Sequence, residues 1–127
     1  MKENFGKLDK LKSKKTIDQL FIEGKSIKNY PFKLIYIPLD NENTATLKTG
    51  VSVPKKLVKT AVQRNRIKRL MREVFRKNKY LVTNSLPVSY AIMIIYLSRD
   101  EIEYQKLSGS MIKLLEKFNE KLNEHEK

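Results

Sequence analysis

Eleven lysines and arginines crowd residues 55–79 of this 127-residue chain: Lys55, Lys56, Lys59, Arg64, Arg66, Lys68, Arg69, Arg72, Arg76, Lys77 and Lys79, against the single acid Glu73. The chemistry this arrangement supports is the gripping of a polyanion, because charge of one sign concentrated in one place builds a strong local field. Bond-making chemistry has far poorer material. The chain has no Cys, which excludes a disulfide framework and a thiolate metal site. Its one histidine is His125, near the C-terminal end, and its carboxylates are scattered over positions that read as solvated. No metal cluster and no nucleophile–base pair can be assembled from them. The expectation is a protein with no catalytic residue and no metal or other cofactor bound by the protein alone.

The totals agree with a nucleic-acid partner. Of a formal net charge of +13, the segment 55–79 carries +10. The isoelectric point near 9.9 fits the footprint of a nucleic-acid-binding domain. Residues 1–127 read as one domain, long enough for a core without staples. No apolar run resembles a signal peptide, and none approaches roughly 18 residues. A soluble, cytoplasmic protein with no membrane partner is expected.

These residues must be positioned by regular elements. Residues 1–12 are polar and basic without periodicity and read as a mobile basic arm. Ser13 is placed to cap a short helix with Ile17, Leu20 and Phe21 at helical spacing, and Gly24 to end it. Phe32–Leu39 and Thr46–Val53 read as antiparallel strands around the turn Asp40-Asn41-Glu42-Asn43, with a short extra strand near Ser26–Asn29. Pro54 closes this region. The basic helix follows from about Thr60 to Asn78, and Pro87 precedes an apolar strand at residues 90–97 that reads as covered on both faces. Leu107, Met111, Leu114, Leu115, Phe118 and Leu122 mark a terminal helix. Gly109 inside it costs up to ~1 kcal/mol relative to Ala, and residues 123–127 read as a frayed tail. The fold class is α+β, a two-layer α/β sandwich. It has a mixed sheet of about four strands with three helices, in the order α-β-β-β-α-β-α.

At about 100° per residue, Ile67, Leu70, Met71 and Val74 converge on one side of the basic helix and anchor it to the sheet. Lys68, Asn65, Arg72, Arg76 and Arg69 fall on the opposite side, with Arg64 and Arg66 on the flanks. The expected surface is a row of guanidinium groups about 27 Å long, suited to phosphate because each planar fork donates two parallel hydrogen bonds. A merely solvated face would mix its signs to limit self-repulsion. A membrane-surface helix is disfavoured, since the sheet needs the apolar side and the chain has no Trp.

The run SVPKKLVKTAVQRNRIKRLMREVFR, Ser52 to Arg76, resembles the signature of the bacterial ribonuclease P protein component. In that family a strand ending in a Ser-Val-x-Lys-Lys pattern leads into a helix carrying Arg-Asn-Arg, then Lys-Arg and Arg-Glu. Here these are Lys55, Lys56, Arg64-Asn65-Arg66, Lys68-Arg69 and Arg72-Glu73. The wider order also fits, from Lys10-Leu11-Lys12 to the terminal helix. The resemblance implies a protein subunit that assists a catalytic RNA in removing the 5′ leader of precursor tRNA. Magnesium would be held mainly by the RNA subunit, in a 1:1 complex that requires no protein partner. It assigns Lys55, Lys56, Lys59, Arg64, Asn65, Arg66, Lys68, Arg69, Arg72 and Arg76 to the catalytic RNA. It assigns Lys10, Lys12, Ile17, Phe21, Phe32, Ile35 and Ser52 to a leader-binding cleft between the first helix and the sheet.

Departures from the pattern concern that cleft. Ile17 and Ile35 stand where the family commonly has aromatic residues, and Tyr36 faces the other way by strand alternation. Pro54 replaces a frequent Ser. Stacking on leader bases, worth ~1–3 kcal/mol per base, is therefore expected to be weaker, and Ile17, Phe21 and Ile35 also suit an ordinary core. Composition and charge alone equally suit a ribosomal-type or general nucleic-acid-binding protein; only the motif spacing separates the two. Alanine at Arg64 or Arg66 is expected to weaken RNA binding while moving stability by no more than about ±0.5 kcal/mol.

Overall fold

The computed structural model describes residues 10–39, 46–84 and 86–125. Helix α1 (Lys14–Glu23) begins where Ser13 Oγ accepts the Thr16 N–H at 3.2 Å. It stops at Gly24, whose N–H still bonds Leu20 C=O while its backbone turns extended. A Cβ at position 24 would collide with that same Leu20 carbonyl, so glycine is needed for close approach rather than for a left-handed turn. The chain then enters β1 (Lys25–Asn29), β2 (Phe32–Leu39) and β3 (Leu47–Ser52). Helix α2 (Ala61–Asn78) and the single turn α3 (Tyr80–Thr83) follow, before β4 (Ser89–Tyr96) and α4 (Tyr104–His125).

The four strands form one sheet in the order β1-β2-β4-β3. Both β1–β2 and β2–β4 are antiparallel, whereas β3 runs parallel to β4, so α2 and α3 lie in a crossover between neighbouring parallel strands. The most apolar strand, β4, sits inside the sheet and is buried along nearly its whole length, as its unbroken run of Ala, Ile and Met requires.

Strand alternation divides the core into two. On one face Phe32, Leu34 and Tyr36 of β2 and Ile92, Ile94 and Tyr96 of β4 pack under α2, α3 and α4. Tyr36, Tyr90 and Phe118 form an aromatic knot there, with ring centroids 5.0–6.0 Å apart. Tyr96 donates its hydroxyl to Asp100 C=O, and burial pushes that hydroxyl above its ordinary pKa. On the other face Ile35, Ile37, Ala91 and Met93 meet Leu20 of α1. The sandwich is thus sheet against α2–α4, with α1 capping part of the opposite face.

The expected order of elements holds, with five differences. The strands expected on either side of the turn at residues 40–43, β2 and β3, run in opposite directions but are not partners, because β4 lies between them. A fourth helix, α3, separates from α2 at Lys79, a break that the continuous helical composition around it does not signal. The strand at Ser26–Asn29 extends to Lys25. The basic arm is tied at its C-terminal end, since Lys10 bridges Thr49 and the Leu11 N–H donates to Thr49 C=O at 3.0 Å. The last helix runs on to His125 through the segment read as a frayed tail. The turn expected at Asp40–Asn43, and residues 1–9 of the arm, lie outside the described residues.

Buried on α2 are Ile67, Met71, Val74 and Phe75. Leu70, expected among them, is only half-buried, so the apolar stripe is rotated towards Phe75. Phe75 retains 1% of its surface. Phe75→Ala is therefore expected to destabilise by ~3–5 kcal/mol, and Leu70→Ala by clearly less, in denaturant unfolding. Equal losses would contradict this orientation of the helix.

Candidate nucleic-acid interface

The loop before α2 sets the helix's first turn. Pro54 C=O accepts the N–H groups of both Leu57 and Val58 at 3.1 Å, forming a tight turn that leaves Lys55, Lys56 and Lys59 exposed. Thr60 caps the helix, its hydroxyl accepting the Gln63 N–H at 3.3 Å. Arg64 reaches back, and its Nη1 donates to Val58 C=O at 3.0 Å and Lys59 C=O at 2.9 Å. No acid stands in the first turn, so the positive end of the helix and these cations add without compensation.

From that base the cations spread over an arc rather than a single row. Asn65, Arg66 and Arg69 are exposed; Arg64, Lys68, Arg72 and Arg76 are half-buried along the sides of the helix. Two arginines are held by carboxylates. Arg66 Nη1 lies 3.1 Å from Glu101 Oε1, and Arg76 contacts Glu73 Oε1 through Nε at 2.9 Å and Nη2 at 2.6 Å. Among the described residues no hydrogen bond or ion pair engages Arg69 or Arg72. The helix therefore presents free guanidinium groups between restrained ones. Beside them a groove of about 580 Å³ opens between α2 and the start of α4, walled by these arginines and floored by Leu70 and Tyr104.

The residues expected to form a cleft separate by strand face. Ile17 is half-buried and Phe21 is 57% exposed on α1, so Phe21 belongs to the surface rather than to the core. Ile35 keeps 6% exposure and forms the floor beneath α1. Ser52, paired with Ile95, lies on the same sheet face, half-buried. Phe32 is a correction: it has no exposed surface and packs against Tyr96 on the opposite face, beneath the large helices. Position 32 differs from Ile35 by an odd number of residues, so alternation places the two on opposite sides. Lys10 and Lys12 are exposed, the former against the β3 edge.

A smaller cavity of about 160 Å³ joins the two regions. Lys10 and Ile17 from the cleft, Gly50 on β3 and Arg72 from the basic helix all line it. Gly50 lies over Met93, whose Cε would stand 3.0 Å from a Cβ at that position. Thr49 Oγ1 is buried with no hydrogen-bond partner among the described residues. The basic helix and the α1 face are thus continuous around the β3 edge.

Several of these residues escaped the sequence reading. Glu101 and Tyr104 belong to a segment that reads as a connection, 35 residues or more from Arg66 in the chain. A usable signal was present: Asp100, Glu101 and Glu103 form an acidic cluster in a strongly basic protein.

Arg64 acts on the fold as well as on the surface, because hydrogen bonds from a charged donor contribute ~1.5–3 kcal/mol when well formed. Arg64→Ala is expected to lower the melting midpoint measurably, while Arg69→Ala stays within about ±0.5 kcal/mol of the parent. Glu101→Gln should leave the fold intact, as exposed ion pairs contribute ~0–1 kcal/mol. It should also tighten RNA binding in low-salt titrations by releasing Arg66, and unchanged affinity would show that Glu101 does not compete for that arginine.

With this geometry in hand, the chain can be set beside known proteins. A family model described as Ribonuclease P matches residues 5–119. The ribonuclease P protein component of Porphyromonas gingivalis is 34% identical over 112 residues, covering 86% of this chain and 82% of that protein. That of Pseudoalteromonas translucida is 34% identical over 118 residues, covering 93% and 79%. Among solved structures, the RNase P protein of Staphylococcus aureus aligns with a TM-score of 0.68 at 25% identity, covering 87% of this chain and 94% of that one. The Thermotoga maritima RNase P protein aligns with a TM-score of 0.67 at 25% identity, covering 85% and 96%. The fold, the motif-bearing helix and these relatives together show that the chain belongs to the ribonuclease P protein family, protein components of a tRNA-processing ribonuclease.

Proposed function

We propose that this chain binds the catalytic RNA of ribonuclease P through the cationic arc of α2 and the loop before it. In the same complex it holds the 5′ leader of precursor tRNA against the α1 face of the sheet. The observation that carries this reading is the continuity of the two surfaces at the β3 edge, where Lys10, Ile17 and Arg72 line one cavity. A strand of RNA leaving the basic helix reaches the cleft without crossing an acidic surface.

The donor set supports a division of labour. Among the described residues no three His, Asp or Glu side chains come together in a way that could hold a metal ion. Arginine forks and lysine ammonium groups can neutralise and position phosphates, but they supply neither a nucleophile nor a base. Hydrolysis of the phosphodiester belongs in this reading to the RNA subunit, with Mg²⁺ bound mainly there. The protein's residues raise substrate affinity and steady the RNA locally. Arg69 and Arg72 contact phosphates directly, Arg64 keeps the preceding loop and its lysines in place, and Ile17 and Phe21 offer the leader an apolar wall backed by the buried Ile35. From the bacterial tRNA-processing relatives, we infer that the complex works in the cytoplasm as one protein on one RNA.

The test is cleavage of precursor tRNA under single-turnover conditions. The chain with the catalytic RNA should remove the leader at low Mg²⁺, and the chain alone should be inert even at high Mg²⁺. Affinity of the complex should fall when the leader is deleted, and by roughly 0.7–0.9 log units per neutralised phosphate for each log unit of salt. Equal affinity with and without the leader would favour a general RNA-binding module.

A further inference from the structure

A surface built only to meet phosphates has no use for an apolar floor, yet the groove between α2 and α4 has one. Leu70 and Tyr104 lie at its base, below Arg66, Arg69, Arg72 and Arg76. Its volume, about 580 Å³, falls within the ~300–1,000 Å³ range of sites that enclose a small molecule. Tyr104 is half-buried and packs against the main core, so its ring is backed by the fold. One face of that ring is covered by the ammonium of Lys77, 5.7 Å from the centroid, on an exposed and flexible side chain. A flat ligand can displace such a cover at small cost.

The arginines sort into two kinds. Glu73 pairs with Arg76 and Glu101 with Arg66, which biases the orientation of these guanidinium groups along the sides of the groove. Arg69 and Arg72 carry no such restraint among the described residues and can follow a phosphate. Guanidinium planes and tyrosine rings both stack on nucleobases, while a free guanidinium fork pairs with phosphate oxygens. One ligand class uses all of these features at once.

We propose that this groove receives a single unstacked base of an RNA strand, lying between Tyr104 and Leu70 below and the restrained arginines at the sides, with its flanking phosphates on Arg69 and Arg72. The inference rests on the RNA-binding reading above and adds a base-binding subsite on the flank of α2 that faces α4, separate from the α1 cleft.

The experiment uses the full chain with Phe21→Ala as background, which removes the exposed aromatic of the other cleft. The probes are two eight-nucleotide RNA strands, one abasic throughout and one abasic except for a single central 2-aminopurine. The base-bearing strand is expected to bind about five- to hundred-fold more tightly, the range that one stacked base supplies, with quenching of its fluorescence. Tyr104→Phe should keep both effects. Tyr104→Leu, which preserves apolar packing without the flat ring, should lose them while binding the abasic strand with unchanged affinity and salt dependence; circular dichroism checks its fold. Equal affinity of the background protein for the two strands, or retained base dependence in Tyr104→Leu, overturns the subsite and leaves the phosphate-binding reading standing. Failure to bind either strand at low salt overturns both.

Discussion

The whole arrangement depends on holding like charges together on one helix. Two unit charges about 6 Å apart in water repel by roughly 0.7 kcal/mol before screening, and salt reduces that further. Burying one large apolar side chain contributes ~1.5–3 kcal/mol. Ile67, Met71, Val74 and Phe75 are all buried, so four such contributions pin α2 against the sheet and α4. Burial wins comfortably over the repulsion among neighbouring cations. The repulsion remains as stored readiness for an anionic partner, and the helix cannot relieve it by rotating or fraying without exposing its apolar side.

The supporting structure serves that same constraint. Strands β3 and β4 are parallel neighbours, so the chain between them must cross over the sheet, and α2 is that crossover. The turn at Pro54 and the reach of Arg64 to the carbonyls of residues 58 and 59 fix where the helix begins. Glu73 and Glu101 offset charge at two positions, Arg76 and Arg66, and leave Arg69 and Arg72 between them uncompensated. At the β3 edge, pairing of Lys10 and Leu11 with Thr49 carries the cationic surface over to the α1 face.

Local patterns made most of the elements legible. Ser13 and Gly24 bracket α1 as their capping chemistry requires. The unbroken apolar run of β4 marked a strand covered on both faces, and the spacing of Leu107, Met111, Leu114 and Phe118 marked α4. Strand alternation sets Tyr36 opposite Ile35, and the same rule puts Phe32 with Tyr36 in the main core. The rotation of α2 towards Phe75 was not legible, because a helix with apolar residues at 67, 70, 71, 74 and 75 offers several stripes and only the neighbouring elements choose among them.

By itself the amino-acid sequence determined the charge, the elements and the motif that places the chain in its family, because each arises from residues within a few turns or strand steps of one another. The tertiary structure decided what the charges can do. Arg66 meets Glu101 across 35 positions, Tyr104 comes to floor a groove on α2, and Lys10 reaches the same cavity as Arg72. No periodicity encodes such pairings. They follow from strand order and from which face of each helix is buried, and those are settled only when the whole core closes.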